Sequence, residues 1–144
     1  MNPQGKRIAI VAAEFNKELM DEMIEAARSE LDEAGAVLVR VVRVSGSYEI
    51  PLLADRQMAQ HGLDALVVLG YIERGDTLHG EVMGHVVHSA LIQLQLKYHK
   101  PIGIGIIGPG ATADQAQLRK TSYARSAARA ALRSCELLAD ADTL

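Results

Sequence analysis

The stretch at residues 65–79, ALVVLGYIERGDTLH, changes character half-way along. Its first half is apolar and β-branched, of a length that suits a buried strand. Its second half turns polar within a few residues: Arg74, a Gly75-Asp76-Thr77 turn, then His79, where a helical pattern begins. Strand, polar turn and helix start, in that order, are the layout of a site at the carboxyl end of a parallel strand, where free N–H groups of the helix favour anions.

Upstream, Arg7–Ala13 is a short apolar run that predicts a first strand. Asn16 suits a helix N-cap and Glu18 falls in the first turn. Leu19, Met23, Ala26, Ala27 and Leu31 then keep helical spacing until Gly35 ends the helix. Val37–Val44 is apolar and β-branched apart from Arg40 and Arg43, and predicts a second strand, broken by Ser45-Gly46-Ser47. Pro51 sits in the first turn of a second helix that runs to about Gln60 and closes at His61-Gly62. The third strand covers residues 65–72. A third helix covers residues 79–97, and Pro101 cannot continue it. Residues 102–107 predict a fourth strand, Gly108-Pro109-Gly110 a turn, and residues 113–139 a long final helix with a frayed tail beyond.

This strict alternation predicts an α/β fold in which a four-stranded parallel sheet is covered by helices on both faces, with right-handed crossovers. At 144 residues the chain reads as one domain, residues 1–144. A net charge of -3 gives no nucleic-acid footprint. The apolar runs are strand-sized, short of the roughly 20 residues a membrane helix needs. Lys6 and Arg7 precede IAIVAA, but Glu14 and a helical pattern follow, so this segment reads as a strand rather than a signal peptide. The single cysteine, Cys135, excludes an internal disulfide and a Cys-rich zinc site. The expected location is cytoplasmic.

Ligands of such sheets bind at the carboxyl ends of the strands. There the chain places Glu14, Phe15 and Asn16 after strand one, and residues 45–49 (Ser-Gly-Ser-Tyr-Glu) after strand two. Residues 73–79 follow strand three, and residues 108–112 follow strand four. In a sequence with one phenylalanine and four tyrosines, Phe15 and Tyr48 both fall on this edge. The set suits a ligand with a flat ring and several hydroxyl or phosphate groups. Each member also has a plainer role. Phe15 can staple the start of helix one, Glu49 can favour the positive end of helix two, Arg74 can pair at the surface, and Asp76 and Thr77 are ordinary turn residues. Their shared edge favours the ligand. Two further groups stand apart. Glu81, His85 and His88 share a helix face and could ligate zinc, although Gly80 and Gly84 point to close helix packing instead. Arg125, Arg129 and Arg133 share another face and read as a solvated stripe.

Four motifs in order resemble the 6,7-dimethyl-8-ribityllumazine synthase family, with spacing closest to its archaeal-type members over nearly the whole chain. They are Phe15-Asn16, the segment from Ser45 through Gly46-Ser47-Tyr48-Glu49-Ile50 to Pro51, the segment Arg74 to His79, and Gln115 to Arg119. The resemblance implies a flavodoxin-like three-layer sandwich. It implies pentamers, sometimes closed in twelves into an icosahedral shell, with sites between neighbouring subunits. It implies a cofactor-independent, metal-free transferase of riboflavin biosynthesis. That enzyme condenses 5-amino-6-(D-ribitylamino)uracil with 3,4-dihydroxy-2-butanone 4-phosphate and releases phosphate and water. By the same resemblance His79 is the general base and Arg119, from a neighbouring subunit, holds phosphate with Gly75, Asp76 and Thr77. Phe15, Ser47, Tyr48, Glu49, Gly70, Ile72 and Ile104 bind substrate. The other reading is a shell or binding relative that has lost catalysis.

The chain departs from the family pattern at Ser45, where proline is usual, and at Ile104, where many bacterial members carry a second aromatic. It departs again at Gly108-Pro109 in place of Thr-Thr, and at a late-helix lysine for which Arg125 is the candidate stand-in. On the same analogy His85 or His88 would form a histidine ring in a five-fold channel lined by helix three.

Overall fold

A computed structural model describes residues 4–143, with side chains through residue 141. Four strands, β1 (Arg7–Ala13), β2 (Val37–Val44), β3 (Ala65–Glu73) and β4 (Ile102–Ala111), alternate with helices α1 (Lys17–Glu33), α2 (Ile50–Met58), α3 (His79–Tyr98) and α4 (Ala113–Thr143). All strand pairs are parallel and the order across the sheet is β2-β1-β3-β4. The order therefore reverses between β1 and β3, as in flavodoxin-like sheets.

The inner strands are apolar throughout because both faces are covered. Alternate residues of β1 and β3 face opposite cores. Ile8, Ile10, Val67 and Leu69 pack with α1 and α4, while Ala9, Val11, Leu66 and Val68 pack with α2 and α3. This is the three-layer α/β/α arrangement. Edge strand β2 keeps Arg40 and Arg43 on its flanks, and both are occupied. Arg40 donates to Gln57 Oε1 at 2.7 Å and to Gln60 Oε1 at 3.0 Å, and Arg43 pairs with Asp21 at 2.8 Å. Basic residues on an edge strand discourage pairing with another chain.

The closest packing lies between β4 and α4. A Cβ placed on Gly103 would lie 1.8 Å from the carbonyl oxygen of Ala127, and one on Gly105 would lie 3.1 Å from the Ala127 methyl. Facing these glycines α4 carries Ala124, Ala127, Ala128 and Ala131, all buried. The helix thus rests its backbone almost directly on the strand. A second close fit joins α3 to the end of β4, where a Cβ on Gly84 would come within 2.7 Å of Pro109 Cδ. The close helix packing expected from Gly80 and Gly84 is therefore present.

Several expectations need correction. Gly108-Pro109-Gly110 does not end the strand, because β4 continues through it to Ala111, which pairs with Glu73 after a shift of register. Asn16 does not cap α1 with its side chain. It takes a left-handed conformation (φ 58°, ψ 67°), which asparagine tolerates, and its carbonyl accepts the Met20 N–H. The second helix stops at Met58, after a short 3-10 turn over Ser47–Glu49. The last helix does not fray after Ala139 but reaches Thr143. The arginine stripe is solvated at Arg129 and Arg133, whose side chains are 62% and 65% exposed, but it is also paired: Arg125, the one partly covered member, and Arg129 both meet Glu30 of α1, and Arg133 pairs with Glu136.

Two outcomes follow from this packing. Gly103→Ala should lower unfolding stability, read from urea midpoints, by about 1–3 kcal/mol as overpacking does. Gly75→Ala, whose Cβ meets nothing within 4 Å, should leave it unchanged. Cys135 is buried, and that burial, helped by Asp64, pushes its thiol up to about 11. At pH 8 it is almost wholly neutral and the thiolate is the reactive form, so iodoacetamide should modify it only after unfolding, as mass spectrometry would read.

Candidate active site

A cleft of about 490 Å³ opens at the carboxyl ends of β1 and β3, at the point where the strand order reverses. Its volume suits a small-molecule site. Three segments wall it. From the loop after β1 comes Phe15, whose ring is 51% exposed and lies 6.3 Å from the Tyr71 ring, tilted by 37°. From the turn after β2 come Ser47, which is buried, and Glu49, which is exposed. From the end of β3 and the start of α3 come Ile72, Gly75, Thr77 and His79.

Local chemistry holds each piece. The left-handed Asn16 redirects the chain directly after Phe15. Glu14 N–H donates to Val44 O at 2.7 Å, tying the β1 loop to the end of β2. Gly70 lies beneath Ser47, where a Cβ would come within 3.3 Å of Ser47 Oγ. The His79 N–H donates to Thr77 Oγ1 at 3.3 Å, which shapes the turn into α3. The Tyr48 ring stands edge-on to the His79 ring, 5.9 Å between centroids, and so supports the imidazole rather than lining the cleft.

A smaller polar groove of about 290 Å³ adjoins the cleft across the same turn. Asp76 and Gly110 line it, and it shares Glu73, Arg74, Gly75, Thr77 and Gly80 with the main cleft. Ala111 follows Gly110 as the last residue of β4. Its carbonyl accepts the Arg74 N–H at 2.9 Å and the Tyr71 hydroxyl at 3.3 Å. Burial, and then the Glu73 carboxylate, push the Tyr71 phenol above its ordinary value of 10.0, so it remains a donor at physiological pH. Next along the chain, Thr112 and Gln115 form a reciprocal cap at the start of α4. The Gln115 N–H donates to Thr112 Oγ1 at 3.2 Å and the Thr112 N–H donates to Gln115 Oε1 at 3.0 Å.

A profile of the 6,7-dimethyl-8-ribityllumazine synthase family matches residues 5–139. The 6,7-dimethyl-8-ribityllumazine synthase of Aeropyrum pernix is 40% identical over 128 residues, covering 88% of this chain and 87% of its own length. That of Pyrobaculum arsenaticum is 39% identical over 127 residues, 88% of this chain and 85% of its own. That of Metallosphaera sedula is 35% identical over 133 residues, 92% and 88%. The chain belongs to the 6,7-dimethyl-8-ribityllumazine synthase family.

Of the residues that family membership singles out, Phe15, Ser47, Glu49, Ile72, Gly75, Thr77 and His79 line the one cleft. Five do not: Tyr48 packs against His79, Gly70 is buried beneath Ser47, Asp76 lines only the adjoining groove, and Ile104 and Arg119 lie elsewhere in the single chain. Ile104 packs half-buried in the core between the sheet and the α2–α3 layer, because β4 is the strand farthest from the β1 loop. Arg119 lies on the exposed surface of α4 and does not line the cleft. Arg125 is held by Glu30 and Glu33, so it is no free stand-in for a late-helix lysine. The zinc reading of Glu81, His85 and His88 fails: among the described residues no three His, Cys, Asp or Glu side chains gather to hold a metal. His88 Nδ1 instead lies 2.7 Å from the Gly84 carbonyl of its own helix. Tyr71 and Met83 line the cleft unforeseen. Tyr71 carried a signal, since an aromatic in β3 stands out in so aromatic-poor a chain, whereas Met83 looks like any core residue. No described helix is long and apolar enough to cross a membrane.

Because the cap fixes where α4 begins, Thr112→Ala should lower stability by about 0.5–2 kcal/mol, while Thr112→Ser should keep it. Urea unfolding of the two variants makes the check.

Proposed function

We propose that this cleft carries out the family's condensation, as a transferase of riboflavin biosynthesis. 5-Amino-6-(D-ribitylamino)uracil and 3,4-dihydroxy-2-butanone 4-phosphate enter, and 6,7-dimethyl-8-ribityllumazine, phosphate and water leave. The observation that carries the reading is the convergence at one strand-order reversal of an exposed aromatic ring, a hydroxyl with a carboxylate, and a histidine beside an open polar turn.

In this reading the pyrimidine lies on Phe15, which offers an aromatic face, with Ile72 near the end of β3 along its edge and Gly70 beneath Ser47. Ser47 and Glu49 take the ribityl hydroxyls, while Tyr48 holds the His79 ring beside them. Gly75, Asp76 and Thr77 receive the phosphate through backbone N–H groups and the threonine hydroxyl. The 5-amino group attacks the ketone and water leaves as the imine forms. His79 then removes a proton as phosphate departs, the resulting enol becomes a ketone, and the ribitylamino nitrogen closes the ring on that carbonyl with loss of a second water. Holding two substrates in one cleft supplies much of the acceleration. The residues need neither metal nor organic cofactor for these steps.

The reading also makes the chain, as one domain, a subunit of a pentamer, with or without closure into a shell. What supports this is the position of Arg119, out of reach of its own cleft, next to Leu118, which is 86% exposed. A neighbouring copy would present that guanidinium to the phosphate as a charge-assisted fork. Exposed Leu78, Val82 and Val86 on α3 would be covered in the same assembly. Soluble substrates suit a cytoplasmic location.

Purified protein mixed with both substrates should give lumazine fluorescence and phosphate release together. His79→Ala should lower kcat roughly 10²–10⁴-fold, and Phe15→Ala should raise KM for the pyrimidine. Arg119→Ala should raise KM for the butanone phosphate. A wild-type signal no faster than the uncatalysed background would sink the reading. A monomeric mass by light scattering would remove Arg119 from the site.

A further inference from the structure

Tyr71 touches both halves of the cleft from a buried strand position. Its ring lines the cleft and lies against Phe15 at 6.3 Å. Its hydroxyl reaches away along the sheet to the Ala111 carbonyl, the same oxygen that receives the Arg74 N–H. A carbonyl oxygen has two lone pairs, and here both are used within one chain segment. The Arg74 bond fixes the first residue of the turn that continues through Gly75 and Thr77, both cleft residues. Ala111 is itself buried and pairs with Glu73 of β3, so it is a firm anchor.

Resting on the reading that the pyrimidine lies on Phe15 and the phosphate on the Gly75–Thr77 turn, we propose that Tyr71 is a positioning residue for both substrates. Its ring sets the plane of Phe15, and its hydroxyl, through Ala111, sets the turn. The two functions sit on different atoms of one side chain and are separable by substitution. Tyr71→Phe keeps the ring and loses the hydroxyl. Tyr71→Leu loses both.

The test is steady-state kinetics with each substrate varied in turn, together with inhibition by inorganic phosphate. Tyr71→Phe should raise KM for the butanone phosphate and the phosphate inhibition constant together. The rise should be roughly two- to tenfold, the size of one neutral hydrogen bond, with KM for the pyrimidine unchanged. Tyr71→Leu should raise both KM values. A merely structural role predicts no such split. Equal movement of both KM values in Tyr71→Phe, or no movement of either, overturns the inference while wild-type turnover keeps the functional reading intact. Absence of wild-type turnover overturns the reading, and the inference with it.

Discussion

The near-contact of the α4 backbone with β4 at Gly103 is the constraint on which the rest of this architecture depends. A helix seated so close can cover the sheet with alanine-sized side chains. That is how a chain with one phenylalanine and no tryptophan still closes a core. The same seating brings α4 beside α1, where Glu30 takes Arg125 and Arg129. One carboxylate between two guanidiniums orients the outer layer, and the glycines determine how deep that layer sits.

The cleft is the counterpart of this tightness. At the carboxyl edge the covering helices diverge, because α1 and α2 depart to opposite faces from neighbouring strands. Loops from β1, β2 and β3 then face one another across a gap that no side chain fills. Rigid strands position the walls, and the chemistry sits in the first residues beyond them.

The alternation of strands and helices was legible because every inner strand is an unbroken apolar run and every helix keeps its period. Phe15, Ser47, Glu49, Thr77 and His79 were legible as a group because strand ends are recognisable and all carboxyl ends share one edge. What stayed hidden depended on non-local partners. The segment Gly108-Pro109-Gly110 carries every local mark of a turn, yet it is an irregularity within β4, which resumes pairing with β3 at Ala111. Arg125 looks like one more member of a solvent-facing stripe until Glu30, far away in sequence, is placed against it. Ile104 was assigned to substrate from family position, whereas its side of β4 faces the core. The reach of Tyr71 to Ala111 spans two strands and has no local signature at all.

The fit of Pro109 against Gly84 also limits how this chain can change over generations. A side chain at position 84 is excluded while the proline ring occupies the space, and a smaller residue at 109 would leave that space empty. Position 84 cannot drift while Pro109 stands. Variation there must therefore arrive as a pair of changes, with the change at 109 first. In this branch of sequences Gly84 should evolve slowly for a reason that has nothing to do with substrate.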